Sequence, residues 1–480
     1  MHNNSRITIG LVTIGVVAIL LIVLFPVSIS DVYAQNYVVD AICLLASIIL
    51  LISLYLRGKL DLFEPITFIS LIYIAMFFCA PIHDIISGEL YWFGYDLFPY
   101  GIKATLIAFL GYCVFFFCYS SNYDLKLRSK KRVAAKQVNE MSYFNPLKSE
   151  IISICLVMYL FCFGTNAFYL ARAVGNSLLY SLSLGLLGAG NTRETLNAPL
   201  GFISMFSFCL PTITLIYWEY SGNKWVARIL FVAMFMLQVA RGFRFYIIQI
   251  AVTFFSYHYI KKNKRPKIIS IVCTLFALMI PVIIMTMFRN SIRSGAGMNL
   301  SALNVQSIRE AFNAAIWENL RIYRNFYAMV NRIPSQYPYV YGRQMILGTL
   351  IMFVPRIIWP TKLPSAAGVG LEYIVGMNLI GTGQAYPNIG EYYYAIGVIG
   401  VIICMAIYGY WAKRLKRKLM DDAHSNLDII EYSVLLGCNL QLIIRGYTPG
   451  NFWYLVFSVM PLAIVKKLHN KNNLEKPLDN

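Results

Sequence analysis

Charge is what this chain conspicuously lacks. Only 13% of its 480 residues are Asp, Glu, Lys or Arg, where a soluble globular protein carries about 25%. That excludes an ordinary water-soluble enzyme. Acidic residues are the scarcest, 22 against 41 Lys and Arg. Histidine is nearly absent. His2, His83, His258, His424 and His469 are scattered, and no spacing suggests a metal site. Cysteine is present, but not where a disulfide framework needs it. All ten, from Cys43 to Cys438, fall inside apolar runs and read as small buried hydrophobes. No internal repeat is evident, and the mass outside the apolar runs is lopsided, which argues against the inverted halves of a symmetric carrier. The basic runs are short and lack interleaved aromatics, which speaks against a nucleic-acid partner.

What the chain has instead is hydrophobicity, 58% of all residues. Apolar runs long enough to cross ~30 Å of hydrocarbon recur throughout. Spans are predicted near 7–29, 37–56, 65–82, 98–119, 151–171, 200–218, 226–240, 245–260, 268–288, 388–411, 428–444 and 450–465. The first follows Arg6 and is longer than a cleaved signal core, so it reads as a retained anchor. The expected class is therefore an all-α polytopic membrane protein with about 12 transmembrane helices.

Orientation follows from the basic loops. Lys126, Arg128, Lys130, Lys131, Arg132, Lys136 and Lys148 fill one loop; Lys261, Lys262, Lys264, Arg265 and Lys267 fill another. Lys413, Arg414, Lys416, Arg417 and Lys418 fill a third, and Lys466 and Lys467 follow the last span. Twelve spans place all four groups on one side, which is then the cytoplasm, together with both termini. Three regions result: residues 1–288, an N-terminal bundle of about nine spans; 289–388, a large outer loop; and 389–480, about three spans and a cytoplasmic tail.

The outer loop has the unusual charge. It holds Arg289, Arg293, Arg309, Arg321, Arg324, Arg332, Arg343, Arg356 and Lys362 against Glu310, Glu318 and Glu372. Outer loops of bacterial inner-membrane proteins are usually poor in basic residues. The excess is almost wholly arginine, whose planar fork of donors grips phosphate. A phosphorylated, lipid-linked substrate is the reading this supports. Within the loop, Ile308, Phe312, Ile316, Leu320, Tyr323, Phe326 and Val330 recur at steps of three or four, predicting one helical face over 303–331. Arg321 and Arg324 lie on neighbouring positions of a turn, available either to surface salt bridges or to ligand. Met345 to Trp359 is apolar but too short to span. It is expected to dip toward the outer leaflet and turn out at Pro355 and Pro360, with Trp359 at the interface and Arg356 and Lys362 at phosphate depth.

Four stretches carry a family resemblance. Pro355-Arg356-Ile357-Ile358-Trp359-Pro360-Thr361-Lys362 resembles a segment of the Wzy-type oligosaccharide repeat-unit polymerases, also called O-antigen polymerases. Gly390-Glu391-Tyr392-Tyr393-Tyr394-Ala395-Ile396-Gly397-Val398-Ile399-Gly400 is similar to that family's glycine-glutamate-aromatic segment opening a late span. Arg241-Gly242-Phe243-Arg244 resembles its short arginine-bearing turn between central spans, and Arg445-Gly446 its arginine-glycine pair before the last span. An arginine followed by glycine after ten intervening residues, found in some members, is missing at the loop arginines. The resemblance implies an inner-membrane, GT-C-like glycosyltransferase. It would take undecaprenyl-diphosphate-linked oligosaccharides on the periplasmic face and move the growing chain onto the next lipid-linked unit. It also implies a chain-length regulator as partner, alongside membrane lipid.

For that reaction the residues suggest roles. A departing diphosphate gains charge, so fixed cations aimed at it favour the transition state; no metal or other cofactor is indicated. Arg241 and Arg289 are the candidate catalytic cations, with Arg244, Arg293, Arg356, Lys362 and Arg445 as further diphosphate ligands. The alternative roles are membrane-boundary anchoring for Arg241 and Arg244, a simple helix end for Arg289 and Arg293, and interfacial anchoring for Arg356. Glu391 is the candidate base for the acceptor hydroxyl, with an ion pair to one of the arginines as its alternative role. His83 and Asp84 are the backup bases, and Tyr393 offers a face to sugar. Competing functions are an O-antigen ligase and a lipid-linked oligosaccharide flippase. Resemblance to the ligases would imply a histidine in the outer loop, and 289–388 has none. A flippase should place ionisable residues along a mid-membrane cavity, whereas here charges gather at span ends.

Overall fold

A lipid-embedded backbone must satisfy its own hydrogen bonds, and the chain does so with helices. The structure, a computed structural model, describes residues 31–56, 61–92, 94–121, 149–173, 201–240, 244–293, 305–352, 354, 358–359, 385–420 and 425–474. Helices α1 (Val32–Leu56), α2 (Pro65–Ile86), α3 (Gly101–Ser120), α4 (Ser149–Ala173), α5 (Leu210–Tyr220), α6 (Lys224–Ala240), α7 (Arg244–Lys261) and α8 (Ile268–Arg293) build the first part. Helices α9 (Val305–Leu320), α10 (Tyr323–Arg332) and α11 (Arg343–Ile351) follow, then α12 (Asn388–Ile396), α13 (Val398–Met420), α14 (Asn426–Ile444) and α15 (Thr448–Leu474). A two-stranded hairpin, β1 (Tyr91–Trp92) and β2 (Tyr95–Asp96), lies between α2 and α3.

Among the described residues, seven helices are long and apolar enough to cross a membrane by length and composition: α1 to α4 and α13 to α15. The chain is thus an all-α, multi-pass membrane protein. The predicted first span near 7–29 lies outside the described residues, as do Arg241, Arg356 and Lys362.

Two apolar cores share one helix. The first is built by α1, α2, α3, α10, α12 and α13, the second by α4, α5, α6, α7 and α15. Helix α14 gives Leu440, Ile443 and Ile444 to the first and Leu427, Ile430, Val434 and Cys438 to the second.

Two sequence expectations are redrawn. The single face predicted over 303–331 is two helices, because the chain turns at Arg321 and Ile322. Helix α9 leaves Ile308 and Phe312 exposed, while every residue of α10 from Tyr323 to Val330 is buried. Part of the predicted outer loop is therefore an interior helix. The run 388–411 is likewise broken: Gly397 adopts φ +67°, a backbone state glycine enters freely, and it ends α12 before α13 begins.

Helix α2 also changes pitch. Residues Ala75–Cys79 form a π-helical turn in which the Ala80 N–H donates to the Ala75 carbonyl five residues back. Pro81 follows, and its ring would crowd a carbonyl in a regular helix; the wider turn relieves that. The turn directly precedes Ala80–Ile86, the segment that carries His83 and Asp84.

Candidate functional site

Glu391 lies on α12, outside the spans counted above, and is only 4% exposed. Its carboxylate accepts from the Thr448 N–H at 3.0 and 2.9 Å and from the Thr448 hydroxyl at 2.7 Å. Thr448 opens α15, so an acidic group faces the positive end of a helix. Burial pushes the Glu391 carboxyl up to about 8, against the opposing pull of the Thr448 hydrogen bonds. Among the described residues its partner is Thr448 rather than an arginine.

The turn joining α14 to α15 wraps this carboxylate. The Gly446 N–H donates to the Tyr386 carbonyl at 2.6 Å. A Cβ on Gly446 would stand 2.4 Å from the Pro387 carbonyl oxygen, so no larger residue fits this approach. Asn451 donates to the Arg445 carbonyl at 2.5 Å. The Arg445 guanidinium lies 5.1 Å from the centre of the Phe245 ring, a cation–π contact. Phe245 is the second residue of α7 and directly follows Arg244. Glu391 is thus tied to Thr448, three residues after Arg445, and the Arg445 side chain in turn reaches Phe245 at the start of α7.

His83 and Asp84 form a second cluster at the end of α2. Asp84 is completely buried. It accepts from Arg321 Nε at 3.0 Å, Tyr323 OH at 2.7 Å, and Arg324 Nε and Nη2 at 2.9 and 2.5 Å. Arg321 also reaches Glu89 at 3.1 Å. Two loop arginines read from sequence as open to ligand or to salt bridges are thus ion-paired with the bundle. His83 stacks on Trp317 at 3.9 Å and lies 3.4 Å from Asp84. Tyr393 is buried, with its hydroxyl donating to the Ile333 carbonyl at 3.1 Å. Arg289 and Arg293 fall on the last two turns of α8, which packs against α9.

Sequence reasoning missed Thr448 and Asn325. Thr448-Pro449 ahead of an apolar run is a helix-start signature and could have exposed the first. Asn325 donates to the Ala385 carbonyl at 2.6 Å and accepts from Trp92 Nε1 at 3.1 Å; only tertiary structure shows it.

Residues 16–473 match the family model described as O-antigen polysaccharide polymerase Wzy. No curated protein and no solved structure matches the chain. With nearly its whole length matched, the chain belongs to the Wzy O-antigen polysaccharide polymerase family, whose members are polymerases acting on lipid-linked oligosaccharide.

Proposed function

We propose, from that membership, that this protein joins undecaprenyl-diphosphate-linked repeat units into O-antigen or a related surface polysaccharide at the periplasmic face of the inner membrane. The bond that breaks links the anomeric carbon of the growing chain to its diphosphate. The bond that forms links that carbon to a hydroxyl oxygen of the incoming unit. The hydroxyl proton passes to Glu391, and the diphosphate departs on its polyprenyl carrier with the bonding electrons. Arg445, with Arg241, Arg244, Arg289 and Arg293 and with Arg356 and Lys362 of the outer loop, offsets the developing charge.

The observation that carries this reading is the buried Glu391 carboxyl, held by Thr448 at a helix start. Its raised value suits a base working near neutral pH. The orientation in this reading is supported by how the helices alternate. Glu64 before α2, Tyr119 near the end of α3 and Lys416 near the end of α13 meet at one end of the bundle. Asn36 near the start of α1 and the Phe98 carbonyl before α3 meet at the other. The lysine-rich loops adjoin the first end, which the positive-inside bias makes cytoplasmic.

The test is a gel of surface glycan from a strain carrying neutral substitutions at Glu391, Arg445, Arg241, Arg289 and Arg356, one at a time. Loss of polymerase leaves single repeat units on the lipid core. Unattached long polymer would mean a ligase, and no mature glycan a flippase. Normal chain length in all five variants would overturn the site, and reporter fusions placing 289–388 inside the cell would overturn the orientation.

A further inference from the structure

Asp84 cannot easily serve as a base, because four donor atoms already occupy its two oxygens. These four donors all come from a short stretch, Arg321 to Arg324, at the entrance to α10. Arg324 extends the grip. Its Nη2 donates to the Glu89 carbonyl at 2.6 Å and its Nη1 to the Tyr91 carbonyl at 3.3 Å, and it sits 5.1 Å from the Trp92 ring centre. One carboxylate therefore ties the end of α2, the hairpin and the start of α10 together. Deeper in, Tyr327 of α10 shares a 2.8 Å hydrogen bond with Thr105, which donates to Asp40 at 2.8 Å.

The other side of α10 faces the segment that carries Glu391. Asn325 donates to the Ala385 carbonyl, three residues before α12. A Cβ on Gly390, the residue before Glu391, would stand 3.0 Å from Met329 Sδ and 3.7 Å from Phe326. Phe326 meets Tyr393 edge to face at 6.2 Å. The contacts thus run unbroken from Asp84 through α10 to α12. No hydrogen bond joins Asp84 and Glu391 directly among the described residues.

We propose that Asp84 is a positioning residue: by holding Arg321, Tyr323 and Arg324 it seats α10, and α10 in turn sets Glu391 against Thr448. This rests on Glu391 being the base proposed above. The relay uses buried, hydrogen-bonded charge to fix geometry at a distance, and misplacing a reacting group by about 1 Å can cost on the order of 100-fold in rate.

The experiment uses the full-length protein in nanodiscs with lipid-linked repeat units extracted from a polymerase-deficient strain. Asp84→Asn and Asn325→Ala cut the relay at two separate points, and Asn325→Ala leaves the four hydrogen bonds to Asp84 in place. Both are expected to lower kcat by roughly 10- to 100-fold with little change in KM, and both should displace the pH at which kcat rises. A residue needed only for folding would lower the amount of active protein and leave that pH unmoved. Normal kcat in Asn325→Ala overturns the relay, whatever Asp84→Asn does, including failure to fold. Glu391→Gln is run in parallel. If it keeps full activity, the base assignment itself falls; if it is inactive while Asn325→Ala is normal, only the relay falls.

Discussion

The two ends of the bundle are held by different charges in different surroundings. At one end the cations are lysines: Lys416 with Glu64, Lys261 with Glu219, and Lys466 with Asp428 and Glu431 at 2.5 and 2.8 Å. These pairs keep partial contact with solvent, as the 28% exposure of the Lys466 side chain shows. At the other end the cations are arginines. Asp84 and Arg324 are 0% and 4% exposed, with every Asp84 oxygen engaged. An exposed pair contributes about 0–1 kcal/mol and is weakened by salt. A buried pair gains little net stability, yet breaking it by removing one partner costs about 3–5 kcal/mol. The lysine end therefore serves topology and support, whereas the arginine end stores a geometry that is costly to alter.

The sharpest test of that contrast is Glu391→Gln at the arginine end. Losing a positioned base should lower the rate by about 100- to 10,000-fold, measured as polymer formed from lipid-linked units. Glutamine keeps an oxygen for the Thr448 N–H, so folding should survive. The pH dependence carries a sign. Because the folded carboxyl stands near 8 against an ordinary 4.5, the neutral form is favoured in the fold. Glu391 therefore contributes stability that is fully present below about 4.5 and lost as pH rises through about 8. Wild type should lose thermal stability relative to Glu391→Gln across that window while its own rate climbs. Parallel melting curves from pH 4.5 to pH 8 would remove the buried-acid account.

Next in size is Arg324→Ala. It strips the main partner from a fully buried carboxylate and frees the Glu89 and Tyr91 carbonyls, so about 3–5 kcal/mol of stability should be lost. Denaturation in detergent would read this directly. A loss below about 1 kcal/mol would put Arg324 in the class of the lysine pairs and erase the difference between the two ends.

Much of this architecture is legible in the amino-acid sequence, and the limits are physical. Hydropathy finds membrane helices because lipid imposes one rule on every span, so α1 to α4, α14 and α15 begin within a few residues of the predicted runs, whereas α13 begins ten residues late, after the break at Gly397. Periodicity finds the helical register of 303–331 but not its surroundings. The same apolar stripe suits a helix lying on a surface and one inserted among α2, α3 and α12. Arg321 and Arg324 show the matching gap for charge. Sequence marks them as expensive to leave unpaired, yet only the fold brings Asp84 to them across more than two hundred positions. Glu391 is legible as a buried acid, while its partner Thr448 is hidden by the same kind of separation.

The smallest effects belong at the lysine end, and they sharpen the comparison by being small. Lys466→Ala removes one cation from two carboxylates, Asp428 and Glu431, which are partly exposed at 36% and 16%. Lys418 remains beside Glu431, and the Ser425 N–H and hydroxyl remain beside Asp428, so neither acid is stranded. About 1 kcal/mol should be lost, less in high salt, with polymer length unchanged. Arg265→Ala goes further in the same direction. Its contact to Asp61 is 3.8 Å and its side chain is 87% exposed, so melting and activity should match wild type. A large activity loss in either variant, with folding intact, would mean that the lysine end takes part in the reaction and that burial does not separate working charges from supporting ones.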